Sequence, residues 1–82
     1  MDRKKIKSSH LFSVGYDAEN LTLEIQFKNR EGGPGRIYRY YPVTEYGYKL
    51  LMNSESKGKF LHERIITNPG ITCTEIKEIE KD

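Results

Sequence analysis

The clearest pattern in the chain is an alternation in which Leu21, Leu23, Ile25 and Phe27 interleave with Thr22, Glu24, Gln26 and Lys28. A period of two is that of a strand with one buried face. The preceding segment, HLFSVGYD, supplies β-branched and aromatic residues and ends at Asp17-Ala18-Glu19-Asn20, a polar turn that predicts an antiparallel hairpin. KNREGGPG is too rich in Gly, Asn and Pro for regular structure and reads as an exposed hairpin loop, with RIYRYY as a third strand. Of its two phases, the one that faces Ile37, Arg39 and Tyr41 inward would bury a charge, so Tyr38 and Tyr40 are placed toward the core.

Pro42 cannot donate to a sheet ladder and predicts the end of that strand. Thr44 is a suitable N-cap for a helix to about Ser54, in which Tyr48, Leu51, Met52 and Glu55 fall near one face and the apolar ones cover the sheet. Gly58 is read as a helix stop, and KFLHERII as one or two further helical turns with Leu61 and Ile65 on a shared face. Asn68-Pro69-Gly70 is a turn, beyond which ITCTEIKEI is either a fourth strand or an acidic tail. The expected fold is α+β: a three-stranded antiparallel sheet, a helix packed on one face, a short second helix, and the C-terminal strand as an open alternative.

Length and composition narrow the function. Eighty-two residues, 35% hydrophobic and 32% charged, suit one small domain with one modest core and leave no room for a second catalytic lobe. No apolar run approaches a membrane span and no apolar core follows the basic start MDRKKIK, so a cytoplasmic protein is expected. Cys73 is a lone cysteine without the neighbours of a zinc motif, and no metal or cofactor is expected. The net charge is +2, but residues 72–82 carry four acids against two lysines, which leaves a basic body ahead of an acidic end. The chain divides into a basic arm over 1–7, read as solvated, a body over 8–66 and an extension over 67–82, whose removal from residue 71 is expected to leave a folded domain.

The body resembles the KTSC domain, a small family named for its occurrence at the C-terminus of some lysyl-tRNA synthetases and found also as free-standing bacterial and phage proteins. The resemblance runs from Ser8-Ser9 through Val14-Gly15-Tyr16-Asp17, Leu23-Ile25-Phe27, Tyr38-Arg39-Tyr40, Val43, Tyr48 and Leu51 to Ser56-Lys57-Gly58-Lys59-Phe60. From Tyr38 to Phe60 the order falls in step without a gap. The chain departs from the family pattern at Pro42, Thr44, His62 and the EGGPG insertion. The resemblance implies the fold, and RNA binding only as a suggestion.

No recognisable hydrolase, zinc or phosphate-loop spacing joins Cys73, His10, His62, Asp17 and Glu63, so no catalytic activity is expected. EGGPGR lacks the lysine of a P-loop and lies between two strands. Gly15, Tyr16, Asp17, Tyr38, Tyr40, Tyr48, Ser56, Gly58 and Phe60 read most simply as structural. The nucleic-acid reading rests on the sheet face away from the helix, where Arg39, Tyr41, Gln26 and Lys28 would meet single-stranded RNA, with Lys57, Lys59 and Arg64 extending the basic track if they share that side. The competing reading uses exposed Tyr41, Ile37 and Arg39 as a contact patch for a protein partner, for instance a host protein met by a phage-encoded modulator. Either way Arg39 and Tyr41 are expected to be replaceable without loss of the fold. A homodimer through an exposed sheet edge stays open.

Overall fold

A computed structural model describes residues 1–77. The alternating segment forms β3 (Thr22–Lys28), the middle strand of the sheet, flanked by β2 (Leu11–Asp17) and β4 (Pro34–Tyr41). Among the described residues, two further strands complete a five-stranded antiparallel meander in chain order: β1 (Lys4–Lys5) beside β2, and β5 (Thr72–Ile76) beside β4. The α+β class holds, while the strand count rises from the expected three. β1 consists of two exposed lysines and β5 is exposed over most of its length, so neither leaves the alternation by which a half-buried strand is recognised.

Local chemistry explains the connections. Asp17 Oδ1 accepts from the amides of Glu19 and Asn20 at 3.1 and 3.3 Å, closing the first hairpin. Asn29 Oδ1 accepts from the amides of Glu31 and Gly33, each at 2.9 Å, and Gly32 takes a positive φ of 86° at the tip of the second. Strand β4 opens on Pro34, a position where a proline removes no needed donor. Asn68 Oδ1 accepts from Gly70 N at 2.8 Å in the turn that leads into β5.

Thr44 caps α1 (Glu45–Asn53), its hydroxyl accepting from Gly47 N at 3.1 Å. The helix ends at Ser54, earlier than a stop at Gly58 would require, and Glu55 lies outside it. Gly58 instead lies within α2 (Lys57–Leu61), which continues into a π-turn over His62–Ile66. A Cβ at Gly58 would stand 2.9 Å from Cδ2 of His10, so the glycine admits the His10 ring. Gly58→Ala is expected to lower stability by about 1 kcal/mol by forcing the ring aside, against a small gain in helix propensity. A thermal melt of this variant and of Gly58→Ala with His10→Ala checks it, since the second change should recover the loss.

The helices cover one face of the sheet. Leu51, Leu61 and Ile65 join Leu11, Val14, Leu23, Ile25, Tyr40 and Val43 in one buried cluster, with Phe27, Tyr38, Tyr48 and Met52 packed around it. No helix among the described residues is long and apolar enough to cross a membrane.

Candidate binding face

Side chains of β4 alternate as the phase argument requires: Tyr40 is buried, Tyr38 packs against the core, and Tyr41 is 53% exposed on the opposite, outer face. Tyr38 meets Phe27 edge-on with ring centres 5.8 Å apart. Burial raises the pKa of the Tyr40 phenol, and the neighbouring Cys73 adds to the effect. Ile37 lies on the outer face by register, opposite Gln26 and Ile76, yet it is buried, so it does not belong to an exposed contact patch.

The outer face is organised by Glu24, a buried carboxylate at 2% exposure. The register places Glu24 between Gly15 of β2 and Arg39 of β4. Arg39 Nε donates to its Oε1 at 2.7 Å, and a guanidinium nitrogen of Arg3 donates to its Oε2. Arg3 Nε also donates to Ser13 Oγ at 3.1 Å. Ser13 in turn donates to Gln26 Oε1, and Gln26 Nε2 donates to Gly35 O. Buried polar groups tolerate burial when so partnered, and among the described residues no buried side-chain nitrogen or oxygen lacks one. Burial pushes the Glu24 carboxyl up, but the hydrogen bonds and charges of Arg39 and Arg3 outweigh it and hold the group below its ordinary pKa.

This network corrects two expectations. Arg39 is tied into the structure and is no free surface charge, although its side chain stays 45% exposed. The basic arm is not a solvated tail either: Met1–Arg3 cross the outer face above Gly15, where a Cβ would sit 2.7 Å from Asp2 O and 3.1 Å from Arg3 Cγ. Lysine-rich segments at a terminus give no sequence signal for such docking, because the contact that decides it is Arg3 with a carboxylate over twenty positions away. Glu24 gives no such signal either, because it stands on the polar side of the alternation, where a charge is ordinary.

The remaining candidates separate. Lys28 and Gln26 share the outer face with Arg39 and Tyr41, and Lys5 pairs beside them across from Ser13. Lys57, Lys59 and Arg64 belong to α2 and the π-turn, on the helical side, so they do not extend the track. Lys57 Nζ donates to Ser54 O at 3.1 Å, and the Arg64 guanidinium lies 5.7 Å from the Phe60 ring centre. Tyr16 stacks on Tyr48 at 4.5 Å, and its hydroxyl donates to Val43 O at 2.6 Å. Burial first, then the nearby Glu45 and Asp17, raise its pKa. Ser56 precedes α2 without a side-chain cap, its carbonyl accepting from Phe60 N.

Residues 7–68 match the KTSC domain model. An uncharacterised protein of Stutzerimonas stutzeri is 33% identical over 63 residues, spanning 77% of this chain and 82% of that protein. The crystal structure of a KTSC domain protein from Yersinia pestis is similar at a TM-score of 0.74 and 33% identity, covering 93% of this chain and 97% of that one.

Proposed function

This chain belongs to the KTSC family, and for it we propose a non-catalytic role in which the outer sheet face binds single-stranded RNA. The observation that carries this reading is the adjacency of Arg39 and Tyr41, two positions apart on one strand, both accessible and both facing outward. Successive outward side chains of the same phase on a strand stand about 6.6 Å apart, two rises of the pleat. Two ring-to-ring contacts need about 7 Å. The spacing falls slightly short of that, so an unpaired base enters between phenol and guanidinium with the two side chains splayed a little apart, a mode that tolerates any sequence because every base has a π-face. Glu24 holds the Arg39 side chain by its Nε, which leaves the terminal nitrogens and the guanidinium plane toward the ligand. Lys5 and Lys28 supply cations for phosphates on the same face.

Anisotropy of a fluorescein-labelled single-stranded RNA, titrated with protein over a series of salt concentrations, tests the proposal. The expected result is binding that weakens steeply with salt. Tyr41→Ala is expected to weaken it about tenfold, the loss of one stacked base, with an unchanged melt because the ring is exposed. Absence of binding at low ionic strength overturns the reading.

A second reading, a protein-interaction module, draws on a different surface. A groove on the helical side is lined by Pro42, Val43, Leu50, Phe60, Arg64 and Ile71 among others, and Leu50 is 38% exposed. Its mostly apolar lining, with Thr44, Asn68 and one arginine as the polar members, suits a protein contact.

A further inference from the structure

On the helical side of the sheet, the groove beside α1 has a chemistry of its own. Val43 and Ile65, both buried members of the core, line it, and its volume is about 500 Å³. A space of that size takes an aromatic or branched aliphatic side chain with its immediate neighbours. The apolar surface also runs on beyond the groove. Leu50, which lines it, stands one helical turn from Tyr46, and Tyr46 is 73% exposed. The two make an apolar strip along α1 that a small molecule in the groove would leave bare, and exposed strips of this kind mark contacts with other chains.

The polar lining is one-sided. Arg64 is the one ionisable residue among those that line the groove. Its guanidinium lies 5.7 Å from the Phe60 ring centre, and among the described residues no ion pair or hydrogen bond takes up its N–H groups. Asn68 Oδ1 already accepts from Gly70 N, so what Asn68 has left to offer is its amide N–H groups. The groove therefore presents a cation and a second donor, with no acid beside them in its lining.

We propose, building on the protein-contact reading of this groove, that its occupant is a peptide segment of a partner protein that carries an aromatic or branched apolar anchor beside an aspartate or glutamate. The anchor enters between Leu50 and Ile71, and the carboxylate accepts from Arg64 with Asn68 as the second donor. A guanidinium resting on a ring keeps its N–H fork for a carboxylate, and an apolar lining strengthens the pair by excluding water. A lysine or arginine beside the anchor would set like charges together, so rejection of basic segments comes from the same residue.

Selection of a random-peptide phage library against the immobilised full chain tests this, followed by anisotropy titration of the enriched peptide, fluorescein-labelled, and by amide chemical shifts. The expected peptides share an apolar anchor with an acid beside it, and their binding shifts the amides of Val43, Leu50, Phe60 and Ile71 while leaving β2 and β3 unmoved. Arg64 is exposed, so Arg64→Glu should keep the wild-type melt. It is expected to weaken the titrated peptide about tenfold, and a selection against this variant should exchange the acid for lysine or arginine. Peptides that seat in the groove without an acid, and bind Arg64→Glu as well as wild type, overturn the acidic partner and leave the protein-contact reading standing. A selection that yields no groove-binding peptide overturns both. A dimer in sedimentation velocity that Arg64→Glu dissolves would give the groove to a second copy. Tighter peptide binding by the full chain with Glu78→Lys and Glu80→Lys would give it to the chain's own acidic end, and either result overturns the proposal.

Discussion

Replacing Arg39 by alanine is expected to destabilise the domain by about 2 kcal/mol, a fall of about 10 °C in Tm for a chain of this size. The variant removes one of two guanidiniums from a carboxylate that is 2% exposed. Breaking a wholly buried pair costs roughly 3–5 kcal/mol, because the surviving charge stays desolvated without compensation. Here Arg3 remains on the other oxygen, and the half-exposed Arg39 side chain lets water screen the interaction, which brings the figure down. A change confined to a surface charge would move the melt hardly at all. An unaltered Tm for Arg39→Ala would therefore show that the ion pair does not hold Glu24 in the folded protein.

The pH dependence gives the same variant a second signature. The Glu24 pKa is lower in the folded protein than the ordinary carboxylate value, which applies to the unfolded chain at about 4.3. Ionised Glu24 thus contributes stability that is present above that value and is lost as the pH falls through the lower folded pKa. Without Arg39 the opposing effect of burial gains weight, the folded pKa rises, and the contribution shrinks. Urea unfolding between pH 3 and 7 should show the stability difference between wild type and Arg39→Ala greatest near neutrality and closing toward acid. Glu24→Gln should abolish that closing difference.

Gly15→Ala is expected to lower stability by about 2 kcal/mol and to release the N-terminal arm. The new methyl would lie 2.7 Å from the carbonyl oxygen of Asp2, a backbone atom that cannot swing away as a side chain would. Relief requires the arm to lift, which costs the β1 pairing and the Arg3 contacts to Glu24 and Ser13 together. In a chain lacking residues 1–5 the clash is gone, and the same substitution is expected to stabilise by about 0.5 kcal/mol, as alanine does over glycine within a strand. The sign reversal between the two backgrounds, read by thermal melts, distinguishes arm docking from any strain intrinsic to β2. Equal losses in both would place the role of Gly15 within its own strand.

Much of the fold was legible because its elements carry local signals. The Leu23, Ile25 and Phe27 alternation, the Asp17 and Asn29 turns, the Thr44 cap and the pair Leu61 and Ile65 each announce themselves within a few residues. The choice of phase in β4 was also legible, since burying Arg39 on the core side would leave a charge among apolar groups. Gly58 misled for an instructive reason: glycine after a helix often marks its stop, but here the missing Cβ answers His10, nearly fifty positions away.

The sequence by itself therefore determined the order and type of the central strands, the capped helix, the face each strand buries, and the placing of Tyr41 and Arg39 together on the outer side. These depend on spacing within one element, and spacing is written in the chain. Only the tertiary structure decided that Arg3 and Arg39 close on Glu24, that the arm crosses Gly15, that β5 forms an edge, and that Lys57, Lys59 and Arg64 stand on the far side of the sheet. Each of these depends on which distant surfaces meet when the core closes, and a charge that stabilises such a meeting looks, in one dimension, like any other charge exposed to water.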